Sequence, residues 1–187
     1  LLIGPVSRAI FANASIYGGE PTGWATFRAE IWNRTDPART GFLPYFQEEG
    51  RSLLDYARWV AQCPLLFLEP AGKFISSGGA SLADRLSSGA TLYDFESALT
   101  QVFPFARIKH FVEVRPDDSL PPERVGEVIS FWTGLLYGDR ARAQAIRLLA
   151  ARPPADREDF ALRGARRGLA DSEVAEAAAE LRALSIE

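Results

Sequence analysis

The 187-residue sequence contains no methionine, one cysteine and one histidine. Cys63 alone excludes an intrachain disulfide, and we expect a reducing compartment and a cytoplasmic protein. No apolar run approaches the ~20 residues that a membrane-spanning helix needs, so no membrane association is expected. Because the sequence begins Leu1-Leu2-Ile3 and lacks methionine, we expect an internal fragment or a processed chain. A targeting peptide therefore cannot be assessed, and missing catalytic groups can lie upstream.

Familiar catalytic motifs are absent as well. The sequence has no Gly-x-x-x-x-Gly-Lys phosphate loop, no Gly-x-Gly-x-x-Gly, no paired Cys or His for zinc and no nucleophile elbow. A Ser-His-Asp or Cys-His apparatus would have to use His110, which alternates with Val112 and Val114 on an apolar side. We therefore expect His110 to be a core or semi-buried residue.

Lysine is scarce, since only Lys73 and Lys109 among the 21 basic residues are lysines, which leaves 19 arginines. Arginine can hold a carboxylate or phosphate through two hydrogen bonds, although an excess also fits a GC-rich genome. The net charge of -3 is too balanced to name a partner, and residues 139–187 carry nine basic and nine acidic residues. That balance argues against a nucleic-acid partner. With 47% hydrophobic and 24% charged residues, the composition indicates a folded globular domain.

Helices and strands are both predicted along the chain. Apolar periodicity, caps and breakers predict a helix end within Ser7 to Ala14 and helices over Glu48 to Gln62 and Glu123 to Tyr137. Two shorter helices are predicted, one from the cap Ser81 to about Leu86 and one from the cap Thr91 through Val102. From Asp139 onward the remainder is predicted to be helical, with breaks at Pro153-Pro154 and at Gly164 to Gly168. Strands are predicted over Trp24 to Trp32, Leu65 to Leu68 and Ile108 to Arg115, and a loop over Asn33 to Gly41.

The strand Ile108 to Arg115 carries the first candidate cluster. Its alternation places Lys109, Glu113 and Arg115 on one polar face, followed closely by Asp117 and Asp118. Side chains two apart on a strand face lie ~6.5 Å apart, so they can address one ligand. A carboxylate there can hold Mg²⁺, and the adjacent guanidinium can hold a phosphate or carboxylate. The alternative is a solvated strand face with an internal salt bridge.

A second candidate cluster surrounds the tryptophan-bearing strand and the turn after it. It comprises Arg28, Arg34, Asp36, Arg39 and Thr40. The alternative to a binding role is a solvated loop in which Asp36 caps the turn and pairs with Arg39.

Both clusters resemble the proteobacterial and plant-type glutamate-cysteine ligases, which belong to the glutamine synthetase-like carboxylate-amine ligases. The matching text is Ala12-Asn13, RAEIWNRTDPARTGFLP (Arg28 to Pro44), TQVFPFARIKHFVEVRPDD (Thr100 to Asp118) and FWTGLLYGD (Phe131 to Asp139). Order and spacing agree as well, and the similarity covers most of residues 9–139.

The resemblance implies an ATP- and Mg²⁺-dependent ligase that joins the γ-carboxylate of glutamate to the amine of cysteine through a γ-glutamyl phosphate, the first step of glutathione biosynthesis. It implies an α+β fold with a glutamine synthetase-like antiparallel sheet covered by helices. Residues 1–187 would then form the C-terminal part of a single catalytic domain, with 139–187 as a helical tail. The substrates would be the small molecules glutamate and cysteine.

Residue roles follow from the same resemblance. Glu113 corresponds to a metal-binding and catalytic glutamate, and Arg115 to an arginine that contacts the phosphate or the developing acyl phosphate. Arg28 corresponds to a substrate-carboxylate anchor. The further substrate-binding candidates are Arg107, Lys109 and Phe67, and the residues expected to fix loops are Asp36, Arg39 and Asp118.

The chain departs from the family pattern at Ala14-Ser15, at Leu66, and at Ala98 and Gln101. The family's other metal-binding glutamates lie N-terminal to Leu1, so we expect the isolated chain to be inactive. Two alternatives therefore stay open. One is a related carboxylate-amine ligase with another amine acceptor, and the other is a non-catalytic interaction module that keeps the fold.

Overall fold

The computed structural model describes residues 2–41, 43 and 50–186. Its α-helices are α1 (Gly4–Ile10), α2 (Phe27–Asn33), α3 (Leu53–Gln62), α4 (Leu82–Arg85), α5 (Leu92–Thr100), α6 (Val125–Tyr137), α7 (Asp139–Ala150), α8 (Pro154–Arg167) and α9 (Ser172–Ser185). Its strands are β1 (Ile16–Tyr17), β2 (Glu20–Pro21), β3 (Thr40–Gly41), β4 (Phe67–Leu68), β5 (Ile75–Ser76), β6 (Phe103–Pro104), β7 (Ala106–Ile108) and β8 (Val112–Val114). No described helix is both long and apolar enough to cross a membrane.

The chain divides into two compact units. The first unit consists of the described residues within Leu1–Arg34 and Pro116–Glu187, and the second of those within Thr35–Arg115. The second unit is therefore inserted, along the sequence, between α2 and the helices that follow Pro116.

The first unit is helical and has one apolar core, built by α1 and α6–α9. Each of these helices contributes a buried side chain: Val6, Leu135, Ala145, Phe160 and Leu181. Gly134 lets α6 approach α9, because a Cβ there would overlap the carbonyl oxygen of Ser185. The helices after Asp139 thus share a core with the first helix of the chain. The predicted break at Pro153-Pro154 is confirmed. Of the second predicted break, Gly164 to Gly168, α8 continues through Gly164 and ends at Arg167, with Gly168 as its cap.

In the second unit, α3, α4 and α5 surround a smaller core of mostly apolar residues: Tyr56, Val60, Cys63, Leu65, Leu82, Ala98 and Val102. All three helices begin with a capping box, in which a Ser or Thr side chain accepts from the backbone N–H of an Asp that accepts in return: Ser52–Asp55, Ser81–Asp84 and Thr91–Asp94. The predicted caps Ser81 and Thr91 are confirmed. The helix predicted from Glu48 begins only at Leu53, after the cap Ser52, so its predicted start is wrong; Glu48 itself lies outside the described residues.

Among the described residues, the strands form separate two-stranded pairs rather than one sheet. The pairs β1–β2, β4–β5 and β7–β8 are antiparallel, and β3–β6 is parallel. The α+β class is therefore confirmed, while the single antiparallel sheet is not seen in the part of the chain that the structure describes.

The strand predicted over Trp24 to Trp32 is wrong, because most of this segment is the helix α2. Side chains four residues apart stabilise the helix. Arg34 Nε donates to Glu30 at 2.7 Å, and the guanidinium of Arg28 lies 5.9 Å from the ring centre of Trp32. The aromatic and β-branched composition favoured a strand, but these pairs have helical spacing.

The segment Ile108 to Arg115 is a hairpin rather than the predicted single strand. Its strands β7 and β8 are joined by the turn 109–111, in which the N–H of Lys109 donates to the carbonyl of Phe111 at 2.8 Å. The prediction of a core or semi-buried His110 is also wrong, since its side chain is 83% exposed at this turn, 3.7 Å from Glu96.

Cys63 ends α3 and is buried, with its Sγ 3.4 Å from the carbonyl oxygen of Ala38. The pKa of the Cys63 thiol is raised to about 11, mainly by burial; Arg39 opposes this shift and Asp36 contributes to it. Because the thiolate is the reactive form, this environment disfavours reaction at Cys63.

Slow alkylation of Cys63 is the expected result in the folded protein. A pKa raised from 9.0 to about 11 lowers the thiolate fraction about 100-fold near neutral pH. Mass spectrometry of the peptide containing Cys63, after timed exposure to iodoacetamide with and without urea, measures this. Equal labelling rates in the two conditions would contradict the prediction.

Candidate functional site

The β7–β8 hairpin brings three predicted site residues together. Its register places Arg107 directly opposite Glu113. One carboxylate oxygen of Glu113 accepts from Nε and Nη2 of Arg107 at 2.9 and 2.7 Å, and the other accepts from Nη1 of Arg115 at 2.5 Å. We call Arg107, Glu113 and Arg115 the hairpin cluster.

Both arginines of the hairpin cluster are held from outside the hairpin. Nη1 of Arg107 donates to the carbonyl oxygens of Thr100 and Val102 at 3.0 and 3.3 Å, where α5 ends. The guanidinium of Arg115 lies 5.7 Å from the ring centre of Phe103. The guanidinium groups therefore have fixed positions, which is what recognition of a planar or tetrahedral anion requires.

Electrostatics in the hairpin cluster favour an ionised Glu113. Partial burial by itself raises the pKa of Glu113, but the hydrogen bonds from Arg107 and Arg115 outweigh it, so the pKa lies below its ordinary value. One carboxylate and two guanidinium groups leave the cluster with an excess positive charge. The predicted internal salt bridge is present, and the excess charge suits an anionic ligand such as a phosphoryl group.

The described residues do not by themselves fit a complete Mg²⁺ site. Mg²⁺ prefers an octahedron of oxygen ligands. Glu113 offers one carboxylate, and both of its oxygens already accept hydrogen bonds from guanidinium groups. In the described ranges, no three His, Cys, Asp or Glu side chains are grouped so that they could hold a metal ion.

Two further predicted residues lie in the second unit, outside the hairpin cluster. Lys109 is at the hairpin turn and is half-buried. Phe67 is half-buried on β4, where its ring packs edge-on against Phe74 with 4.9 Å between ring centres. The backbone of Phe67 is held by the side chain of Gln101, which donates to its carbonyl oxygen at 3.2 Å.

Arg28 belongs to the first unit, near the start of α2. Its Nη1 donates to the carbonyl oxygen of Pro116 at 3.2 Å, and its side chain is half-buried beside Trp32. It shares this environment with Arg8. The pKa of Arg8 is lowered to about 10, mainly by burial and also by Arg28, while Asp118 and Asp117 oppose the shift.

The two aspartates after Pro116 organise this region. Asp118 is buried and accepts from the backbone N–H of Asn13 and from the hydroxyl of Thr26, both at 2.8 Å. Thr26 directly precedes α2, so Asp118 fixes the start of the helix that carries Arg28. The expectation that Asp118 fixes loops agrees with these contacts.

Asp117 accepts from the hydroxyl of Ser7 and from the indole N–H of Trp132, the latter at 2.7 Å. Burial raises the pKa of Asp117, and the hydrogen bonds from Ser7 and Trp132 and the nearby Arg28 only partly offset that effect. We call Arg8, Arg28, Asp117 and Asp118 the aspartate cluster, which is a mutually compensated group of two cations and two anions.

The second predicted cluster is divided between the units. Arg28 and Arg34 belong to the first unit, whereas Asp36 and Arg39 belong to the second. Asp36 accepts from the N–H of Ala38 at 2.9 Å and from Nε of Arg39 at 2.6 Å, so the predicted turn cap and ion pair are confirmed. Arg39 is buried rather than solvated.

Patterns in the sequence did not identify Arg8 or the role of Gln101. The signal that could have identified Arg8 is its position among the apolar residues of α1, where an arginine must be buried and compensated by nearby anions. Gln101 stood out only as a departure from the family pattern, and nothing local showed that its side chain binds the Leu66–Phe67 backbone.

Comparison with known proteins agrees with the resemblance predicted from the motifs. A family model described as Glutamate-cysteine ligase family 2 matches residues 1–186. The chain is 31% identical over 166 residues to "Glutamate--cysteine ligase, chloroplastic" of Brassica juncea and to the protein of the same name from Arabidopsis thaliana, covering 84% of this chain and 32% of each relative. The Medicago truncatula protein of that name is 32% identical over 147 residues, covering 74% of this chain and 29% of the relative.

Two consequences follow for the predictions. The predicted resemblance is confirmed, although the chain spans only about a third of the length of the curated relatives it matches. The expected cytoplasmic location is wrong, because these relatives are named chloroplastic.

Proposed function

Because the chain belongs to glutamate-cysteine ligase family 2, we propose that the full-length protein joins the γ-carboxylate of glutamate to the amine of cysteine, using ATP and Mg²⁺. This is the first step of glutathione biosynthesis. The observation that carries the proposal is the family match over nearly the whole chain. The geometry of the hairpin cluster supports it, since phosphoryl transfer needs fixed cations rather than a protein nucleophile.

The proposed chemistry has two steps. The γ-carboxylate takes the terminal phosphoryl group of ATP, which yields ADP and an acyl phosphate. The amine of cysteine then attacks the acyl carbon, the carbon–nitrogen bond forms, and phosphate leaves while the amine loses its proton. In both steps negative charge lies on the phosphoryl oxygens, where fixed guanidinium groups stabilise it.

In this proposal Arg115 contacts the transferring phosphoryl group, and Arg107 and Lys109 supply supporting positive charge. Glu113 holds Arg107 and Arg115 in place through its two oxygens. Arg28 anchors a substrate carboxylate, and Phe67 lines the pocket of the amine acceptor.

Mg²⁺, when bound, would neutralise phosphate charge during transfer. The described residues do not by themselves form a complete site for it, and Glu113 as its ligand stays a prediction. A glutamine synthetase-like fold, with residues 1–187 as part of one catalytic domain, is likewise proposed on the strength of the resemblance.

An ADP-release assay of the full-length protein tests the function. We expect release that requires both glutamate and cysteine and that is matched by formation of γ-glutamylcysteine. Omitting either amino acid is the internal control. Absence of ADP release with every amine would favour the interaction module that keeps the fold.

A second candidate function is a related ligase with another amine acceptor. The observation that favours it is Leu66, which stands where the family commonly has an aromatic residue and is 51% exposed beside Phe67. A panel of amino acids in the same assay separates the two functions. Exclusive use of cysteine would exclude the second.

A further inference from the structure

The side chain of Gln101 substitutes for a strand partner along the start of β4. Its Oε1 accepts from the backbone N–H of Leu66 at 2.7 Å and from that of Phe67 at 3.2 Å. Its Nε2 donates to the carbonyl oxygen of Phe67 at 3.2 Å and to the hydroxyl of Ser97 at 3.3 Å. One carboxamide therefore satisfies three main-chain groups of two consecutive residues.

Gln101 is itself held rigidly. It is only 2% exposed, and its main-chain carbonyl oxygen accepts from Nη1 of the buried Arg39 at 3.2 Å. Nη2 of Arg39 donates to the carbonyl oxygen of Pro64 at 2.5 Å. The segment from Pro64 to Phe67 is thus fixed from two sides by buried polar side chains, and a buried amide in this position is costly to remove.

The segment that Gln101 holds presents apolar side chains. Leu66 is half exposed, and the ring of Phe67 packs edge-on against the exposed Phe74. Such a surface suits a small apolar or sulfur-bearing side chain rather than a charged one. Its position depends on the backbone at residues 66 and 67, because neither Leu66 nor Phe67 can shift without breaking a hydrogen bond to Gln101.

We propose that Gln101 is a positioning residue that places Leu66 and Phe67 against the side chain of the amine acceptor, and so sets selectivity for that substrate. The inference rests on the proposed function, in which Phe67 lines the acceptor pocket. Gln101 acts through the backbone of Leu66 and Phe67 and does not need to touch the substrate.

Steady-state kinetics of full-length Gln101→Ala test the proposal. We expect the KM for cysteine to rise about tenfold, which is the usual scale for disturbing one apolar contact surface. The kcat and the KM values for glutamate and ATP should stay within about twofold. Gln101→Glu keeps the acceptor but loses the donor to Phe67, so its KM for cysteine should lie between those of Gln101→Ala and wild type. Gln62→Ala, an exposed glutamine of the same unit, is the matched control.

A double-mutant cycle with Phe67→Ala separates positioning from general destabilisation. If Gln101 acts through Phe67, the two changes should raise the KM for cysteine less together than the product of their single effects. The inference would be overturned if the double variant raised the KM for cysteine by the full product of the single effects. A fall in kcat together with a rise in the KM of all three substrates would also overturn it. If Gln101→Ala does not fold, the Gln101→Glu variant in the same cycle decides by the same criterion. Wild-type protein without amine-dependent ADP release would overturn the proposed function and this inference with it.

Discussion

Glu113→Ala is expected to lower the kcat of the proposed ligation by the full-length protein by about 100- to 1000-fold, the range seen when one fixed charge-stabilising group is lost. The carboxylate joins Arg107 to Arg115 within the hairpin cluster, with contacts of 2.7 and 2.5 Å. Its removal takes away the anion that Arg107 and Arg115 share, so the two guanidinium groups repel each other and their mutual geometry changes, although each keeps its contact outside the hairpin. ADP release at saturating glutamate, cysteine and ATP measures the effect.

A Mg²⁺ titration of Glu113→Ala and Glu113→Gln separates the two roles assigned to this carboxylate. If Glu113 is a metal ligand, high Mg²⁺ should restore part of the lost kcat. If it acts by holding the arginines, kcat should stay low at every Mg²⁺ concentration. Near-normal turnover of Glu113→Ala at every Mg²⁺ concentration, low as well as saturating, would contradict both roles.

Arg115→Lys is the companion variant for the same cluster. Lysine keeps the charge but lacks the planar fork, so a substantial loss of kcat is expected. Arg58→Lys is the matched control, since Arg58 is an exposed arginine of the same unit whose ion pair with Asp55 is 3.7 Å long. Wild-type turnover by Arg115→Lys would show that Arg115 is not a bidentate ligand of the phosphoryl group.

Local signals predicted the helix starts well, because a cap acts over three residues. Ser81 and Thr91 each meet an aspartate three positions later, and both pairs form capping boxes. Composition failed for the segment Trp24 to Trp32, whose aromatic residues and threonine favoured a strand although most of it is the helix α2. The backbone N–H of Thr26 donates to the carbonyl of Ala165 at 3.0 Å, a partner 139 residues away along the chain that no local pattern can reveal.

In the candidate site, contacts between residues close together on one strand could be predicted from the sequence, and contacts across the hairpin or between distant segments could not. Adjacent placement of Glu113 and Arg115 follows from their spacing on one strand, and they do form an ion pair. The partner Arg107 depends on the hairpin register, which is set by a turn that contains neither glycine nor proline and was therefore missed. The aspartate cluster joins segments about a hundred residues apart, so sequence patterns could suggest Arg28, Asp117 and Asp118 but neither Arg8 nor the contacts.

Asp118→Ala is expected to lower the free energy of unfolding by about 2–4 kcal/mol, the cost of leaving buried donors without acceptors. The change would remove the acceptor of two donors, the fully buried hydroxyl of Thr26 and the backbone N–H of Asn13. It would also remove one of the charges that compensate the buried Arg8. Urea unfolding followed by tryptophan fluorescence measures this, since Trp24, Trp32 and Trp132 all belong to the same unit.

Two variants make this stability prediction specific to the contacts of Asp118. Asp118→Asn retains one acceptor oxygen, so its loss should be smaller, about 1 kcal/mol. Asp159→Ala removes a 69% exposed aspartate from the middle of α8, where its ion pair with Arg163 is solvated, and should change stability by less than about 0.5 kcal/mol. Because Asp118 fixes the start of the helix that carries Arg28, Asp118→Asn should also raise the KM for glutamate more than it lowers kcat. Equal destabilisation by Asp118→Ala and Asp159→Ala would mean that the hydrogen bonds from Asn13 and Thr26 do not stabilise the fold.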